Sequence, residues 1–424
     1  MRFASHYDVR PRRRLLSLLA ALGALGGCFE PEAVQPPLAL ARVDSVPSPA
    51  GEGSEVPHLS SSEDGVLLSW LQSTDEPRTY RLLVASFHGG GWSEPAPVVE
   101  GDRFFVNWAD FPSVVTLGDR WLAHWLERGG GGTYDYGVRV SHSDDRGRTW
   151  SEPWTPHEDG TPTEHGFVSL FPMGAGAAGL VWLDGRETGE GHDGSHAGAM
   201  TLRYRGVDAH GTPGAEELVD GRICDCCQTD VAVTGRGPVA VYRDRTEDEI
   251  RDIYVTRRVD GAWTEGRPVH RDGWETPYCP VNGPAIDARG DRVVVAWFTG
   301  ALERPRVKVA FSGDAGASFA EATVVDDGNP TGRVDVVLLD DGSAAVSWLE
   351  RTESGGEGAE IRVRRVGPGG AAGRSSTVAT SNAGRPSGFP RMVSLAGGDL
   401  LLAWTDSRGE SPHVRVAVAE LAPW

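Results

Sequence analysis

The sequence predicts an all-β fold, a β-propeller of four-stranded antiparallel blades, on three observations. An aromatic residue closes a short apolar run seven times, at Trp70, Trp125, Trp182, Tyr242, Trp297, Trp348 and Trp404. The intervals stay between 51 and 60 residues, the mark of one supersecondary unit repeated. Each unit also holds four short β-rich runs separated by Gly, Asp and Pro, as antiparallel strands joined by turns require. Beyond residue 28 no segment carries helical periodicity.

The second unit shows the order of parts. Residues 110–115 open it, 121–125 form the aromatic strand, 137–141 the third strand, and a tight turn at 144–148 leads to a fourth run at 149–153. The fifth unit repeats this order at 284–286, 293–297, 307–311 and 318–319. Sheets repeated radially leave few exposed edges. The last unit ends soon after its third strand, at 414–419, so residues 38–43 are expected to supply the missing strand and close the ring. Seven units predict seven blades, with a six-bladed ring as the alternative.

Residues 1–27 read as a lipoprotein signal peptide. Arg10, Arg12, Arg13 and Arg14 form a basic flank, and residues 15–25 an apolar core too short to span a bilayer. Leu25-Gly26-Gly27-Cys28 resembles a bacterial lipobox, which makes Cys28 the lipidated residue and the lipid the membrane contact. Phe29 in place of Asp after that Cys favours the outer membrane, facing periplasm or surface. Residues 28–37 then act as a tether, and 38–424 as one propeller. The formal charge of −19 becomes about −23 once residues 1–27 are removed. Such acidity excludes nucleic acid and anionic lipid as partners held by bulk electrostatics. A monomer is expected.

The turns carry a resemblance. Ser143, Asp145, Gly147, Thr149 and Trp150 match the Asp-box pattern S-x-D-x-G-x-T-W, and Ser312, Asp314, Gly316 and Phe319 belong to a second copy with Ser318 in the Thr position. Residues 86–92 and 259–263 are decayed versions. The chain therefore resembles the sialidase-like propeller superfamily over nearly its whole mature length. The Asp carboxylate suits a turn because it accepts from backbone N–H groups, while Gly takes positive φ. Asp-boxes are structural hairpins, so the resemblance implies a fold before it implies a reaction.

A sialidase-type site would need several Arg around a substrate carboxylate, a Tyr nucleophile beside a Glu, and an acid. Planar guanidinium forks bind carboxylates bidentately. Arg186, Arg245, Arg333, Arg385 and Arg391 are the candidate cations, with Tyr242 or Tyr278 beside Glu249 or Glu275. Asp102, Arg103, Asn107, Trp108, Asp110, His165, Asp184, Asp272, Trp274, Asn282 and Asp335 lie in the same loops, as do His192, Asp193 and His196. The Phe-Arg-Ile-Pro element of sialidases is absent, and Phe389-Pro390-Arg391 only echoes it. The competing reading makes these charges solvated loops and inter-blade ion pairs.

The cysteines break the repetition. Cys224, Cys226 and Cys227 lie in the loop leading into unit four, and Cys279 in the loop leading into unit five. In an exported protein four Cys predict disulfides. A bond between neighbours 226 and 227 is strained, so Cys279 is expected to join one of the three. The rival is a thiolate site for Cu(I) or Zn, with His165, His192 or His196; a third reading is redox-active thiols. No cofactor is otherwise required. The C-x-C-C loop, Tyr242-Arg243-Asp244-Arg245 and the run Cys279 to Pro284 together resemble a bacterial lipoprotein subfamily of undefined activity. The leading expectation is a glycan- or ligand-binding loop face. A sialidase-like glycoside hydrolase and an envelope structural or metal-handling protein are the alternatives.

Overall fold

A computed structural model describes residues 40–62, 64–189, 198–352 and 356–422. Its described strands form seven antiparallel sheets, one per unit. Blade one is Ser54–Ser62, Gly65–Ser73 and Tyr80–His88, with Gly91–Trp92 and Ala96–Gly101 on its outer edge. Blade two is Ser113–Leu117, Arg120–Arg128 and Tyr136–Ser143; blade three is His165–Gly174, Ala177–Asp184, Met200–Val207 and Pro213–Ile223. Blade four runs Asp230–Thr234, Gly237–Arg243, Ile253–Val259 and Ala262–Trp263, with Arg267–Pro268 beside its third strand. Blade five has Ala285–Arg289, Arg292–Thr299, Arg306–Ser312 and Thr323–Val324; blade six Pro330–Leu338, Ala344–Arg351, Gly358–Val366 and Ser376–Asn382. Seven sheets replace the six-bladed alternative.

Blade seven closes the ring. Arg391–Ser394, Leu400–Asp406 and His413–Leu421 take Leu40–Val46 as their fourth strand, with Val43 opposite Ala419 and Ser45 opposite Ala417. Blade two departs from the expected pattern. Its fourth run makes only one bridge, in which Val140 and Trp154 exchange N–H···O bonds of 2.8 Å. Pro153 and Pro156 flank Trp154 and lack the N–H groups a longer ladder needs.

The repeated aromatics fill the space between blades. Trp70, Trp182, Trp297 and Trp348 are fully buried, and Trp125 and Tyr242 nearly so. Residues i and i+2 share a strand face, and four indoles use this. Trp70 donates to Gln72 at 3.2 Å, Trp125 to Glu127 at 3.0 Å, Trp182 to Asp184 at 2.8 Å and Trp348 to Glu350 at 2.6 Å. Each buried N–H is thereby satisfied within its own strand. Apolar clusters join neighbouring blades: Leu122, Val138 and Val140 of blade two pack with Val168, Leu180 and Trp182 of blade three.

Inner strands are latched by buried carboxylates. Asp110 accepts from Phe167 N at 2.7 Å, Asp230 from Ile286 N at 2.9 Å, Asp287 from Leu338 N at 2.7 Å and Asp335 from Met392 N at 2.7 Å. Each bond runs from one blade to the next. First strands of blades one, three and six also carry bulges, with Val56, Phe167 and Arg333 at φ 50°, 51° and 55°. A bulge re-aims the side chain it carries.

Both Asp-boxes close as hairpin turns. Asp145 accepts from Thr149 N at 2.8 Å and from the Thr149 hydroxyl at 2.7 Å, while Gly147 N donates to Ser143 Oγ at 2.8 Å. Asp314, Ser318, Gly316 and Ser312 repeat these bonds at 2.8, 2.6 and 3.0 Å. Trp150 and Phe319 pack against the apolar clusters. The decayed copies still turn the short outer hairpins ending at Trp92 and Trp263.

Candidate functional site

Loops leading into each first strand, and those joining second strand to third, gather on one face of the ring. Blade four contributes 224–229 and 244–252, and blade five contributes 269–284. The thiols sit where these meet. Cys226 is bonded to Cys279, their Cα atoms 6.2 Å apart, within ordinary disulfide reach. Cys224 and Cys227 are free, buried, and 3.4 Å apart at sulfur. The sulfurs of Cys224, Cys226 and Cys227 all lie within 4.8 Å of one another.

Arginines surround this pair. Arg251 Nη1 donates to Cys224 Sγ at 3.2 Å, and Asn282 N to Cys227 Sγ at 3.4 Å. Burial opposes ionisation of both thiols. At Cys224 the Cys227 hydrogen bond and the Arg251 and Arg243 charges overcome it, holding that thiol below its ordinary value. Burial and the Cys224 thiolate push Cys227 up. Arg243, itself buried, is satisfied by carbonyl oxygens: Asn282 at 3.0 and 2.7 Å, Arg251 at 2.5 Å and Phe298 at 2.8 Å. It lies 4.8 Å over the Trp274 ring and bolts blade four to blade five. A soft metal would find two sulfurs outside the disulfide, faced by these two cations. Two free thiols fall short of the four ligands of a structural zinc site, and Arg251 already stabilises the Cys224 sulfur.

Entry loops of several blades are tied to one another on this face. Gln228, buried, donates to Ala109 O at 2.6 Å and accepts from Gly283 N at 2.9 Å, tying three loops together. Trp108 stacks on Phe389 with centroids 5.8 Å apart, and the Arg333 guanidinium lies 4.8 Å over Trp108. Arg333 also donates to Ser387 and, at 3.2 Å and 3.1 Å, to Gly388 O and Ala383 O.

A cleft of about 580 Å³ lies between blades three and four, lined by the outer strand of blade three and the loops and outer run of blade four. Asp220, Arg222, Asp244, Arg245, Glu247, Tyr254 and Glu265 line it. The Tyr242 hydroxyl donates to Asp220 at 2.6 Å. Burial pushes Asp244 up to about 7, with the Asp220 charge adding to it and a hydrogen bond from Tyr254 opposing it.

The expected catalytic set is not brought together. Arg186 is spent in blade three on Asp184 at 2.7 Å, Glu216 at 2.7 Å and Asp159 at 3.3 Å. Arg245 is held in blade four by Glu249 at 2.7 Å and Asp225 at 3.2 Å. Arg391 stands 3.5 Å from Asp335 in the inner strands, and Arg385 is exposed. Tyr242 pairs with Asp220 instead of Glu249, and Tyr278 is 78% exposed. Tyr–Glu pairing occurs elsewhere, from the Tyr136 hydroxyl to Glu164. Burial pushes Glu164 up to about 7, and Asp225 reinforces this. Neither residue was singled out from sequence. Glu164 immediately precedes His165 in a loop leading into a blade, which is the only signal it carried.

His165 sits in a second cluster, with Nε2 3.1 Å from Asp159 and its ring stacked 3.8 Å from His157. These three residues could hold a metal, but Arg186 already occupies Asp159 and the His157 Nε2 accepts from Val138 N at 3.1 Å. His192, Asp193 and His196 lie outside the described residues, as does Cys28.

No model of a known protein family matches this chain, and neither does any curated protein. Solved structures do resemble it. A protein of unknown function from Dyadobacter fermentans is 14% identical, with 92% of this chain and 100% of that one covered at a TM-score of 0.48. The α-L-arabinanase of Penicillium chrysogenum complexed with arabinobiose is 14% identical over 89% and 96%, at 0.47. The endosialidase of phage phi92 is 8% identical over 90% and 69%, at 0.49. The likeness is one of fold. At these identities it assigns no chemistry to the loops.

Proposed function

We propose that this chain is a lipid-anchored propeller of a bacterial envelope that binds a glycan in the cleft between blades three and four. The cleft carries the reading. At about 580 Å³ it falls within the range of small-ligand sites, where a few polar groups set orientation. Tyr254 offers an aromatic wall for the C–H face of a sugar, and carboxylates and guanidiniums offer partners for its hydroxyls. Four carboxylates against two Arg favour a neutral or amino sugar over a carboxylated one. The basic flank, apolar core and Cys28 support the anchor.

A glycan array followed by calorimetry on the mature chain tests the binding. Retention of neutral or amino oligosaccharides, weakened about tenfold or more by Tyr254→Ala, is expected. An array with no retained glycan, or one retaining only sialosides, refutes it. Metabolic labelling with palmitate tests the anchor, since Cys28→Ser must abolish the label.

One observation favours hydrolysis as a second reading. Burial and the Asp220 charge push Asp244 up to about 7, so near neutral pH part of it carries a proton beside a second carboxyl group, the pairing an acid and a base need. Aryl glycosides of neutral sugars should then be cleaved, with Asp244→Asn lowering kcat about 100-fold or more. Binding without turnover retires this reading and keeps the first.

A further inference from the structure

We infer that the four cysteines form a thiol–disulfide exchange centre, in which the buried pair Cys224 and Cys227 takes over the bond that Cys226 shares with Cys279. This goes beyond glycan recognition and does not depend on it. A disulfide that only staples two loops needs two cysteines. Here a second pair stands behind it, spaced C-x-x-C, with its sulfurs 3.4 Å apart. Cys224 and Cys226 sulfurs lie within 4.8 Å, so a small approach brings thiolate to disulfide. Arg251 donates to Cys224 Sγ at 3.2 Å, which stabilises the attacking thiolate. Inert structural cysteines instead sit among apolar groups. Cys279 is exposed, so the leaving sulfur departs toward solvent.

The exchange balances without an outside oxidant or reductant. The Cys224 thiolate attacks Cys226 Sγ, an S–S bond forms between them, and the Cys226–Cys279 bond breaks. Cys279 leaves as a thiolate and takes a proton from solvent. Cys227, its proton lost to solvent, then attacks Cys224 Sγ and releases Cys226, which is protonated in turn. One disulfide is consumed and one formed; two thiols are consumed and two formed. The product holds Cys224 and Cys227 in a local bond. It frees the loop leading into blade five and presents Cys226 and Cys279 as a dithiol on the face that borders the cleft.

Trypsin distinguishes the two linkages. Cleavage after Arg222, Arg236, Arg271 and Arg289 releases peptide 223–236, with three cysteines, and peptide 272–289, with the fourth. Purified mature chain is incubated under native conditions, quenched with acid, alkylated and digested without reductant. The exchange predicts two populations: the peptides linked to each other, and the peptides separate with an internal disulfide in 223–236 and an alkylated Cys279. Cys224→Ser must yield no such internally bonded peptide, because the attacking thiol is gone, and circular dichroism verifies that this variant folds. Linked peptides alone in the wild type overturn the inference. So does a doubly oxidised chain carrying both disulfides, which leaves no thiol to attack. An internally bonded peptide in Cys224→Ser overturns it as well.

Discussion

The Tyr242 hydroxyl donates to Asp220 Oδ2 across 2.6 Å, joining the second strand of blade four to the outer strand of blade three. Blades two, three and six place Trp at this point of the repeat, and each indole takes the acid two residues on. Tyr242 bypasses its own, Asp244, and so leaves that carboxyl to line the cleft. Tyr242→Phe removes the phenol and strands a carboxylate partner. Such a bond to a charged acceptor contributes about 1.5–3 kcal/mol. Urea unfolding should show a loss of this size with an unchanged m-value.

Stability should fall as pH rises from about 6.5 to 8. Burial holds Asp110 up at about 8 and Asp230 at about 7. Both bind their protons more tightly folded than unfolded, so the stability they contribute is complete below the ordinary Asp value. It is lost as pH climbs through 7 and 8. Buried His124 and His157, each held down near 3, act oppositely. Their contribution is complete above the ordinary His value of about 6.5 and is lost as pH falls toward 3. Above 6.5 these carboxylates, with Asp244 and Glu164 at about 7, outweigh the opposing Cys224, whose depressed thiol adds stability as pH rises; each group is worth at most about 1.4 kcal/mol per pH unit. Scanning Tm from pH 6.5 to 8 should give a decline, shallower in Asp110→Asn, which still accepts from Phe167 N. A flat wild-type profile contradicts this.

The second Asp-box depends on its Ser. Ser312 Oγ accepts from Gly316 N at 3.0 Å and donates to Asp314 at 2.8 Å, and the residue is buried. Ser312→Ala leaves the Gly316 N–H without its acceptor, at a cost of about 1–2 kcal/mol. Chemical denaturation measures it, and glycan binding should be unchanged.

Arg243→Met should be far more damaging than its surface counterparts. The guanidinium serves carbonyl oxygens of Asn282, Arg251 and Phe298 in a buried site. Methionine matches its length but leaves those carbonyls unpaired. A loss on the order of 3–5 kcal/mol is expected, read as a drop in Tm and faster proteolysis of the 244–252 loop. A variant within 1 kcal/mol or so of wild type would mean that water replaces the guanidinium.

Much of the ring was legible in the sequence. Trp70 to Trp404 mark the second strands because a buried strand needs a local apolar run, and local runs survive in one dimension. The Asp-boxes were legible for the same reason, since Ser143 and Thr149 meet Asp145 within a few residues. The acceptor two residues after Trp125, Trp182 and Trp348 is equally local, since i and i+2 share a strand face. Site chemistry was not legible in this way. Arg186, Arg245 and Arg391 resemble a carboxylate cradle by composition, but each is taken by acids near it in the fold. Tyr136 and Glu164 lie 28 residues apart with no motif between them.

What the sequence alone determined was the repeating unit, its closure by an N-terminal strand, and the placing of the four cysteines in two adjacent loops. These follow from strand periodicity and turn chemistry, which act over a few residues. Only the tertiary structure decided that Cys226, not its neighbours, meets Cys279. It alone decided that Gln228 ties the loops of Ala109 and Gly283 together and that Asp220 and Asp244 share a cleft. Such contacts join loops of different blades, and their geometry is set by how the sheets pack around the ring rather than by spacing along the chain.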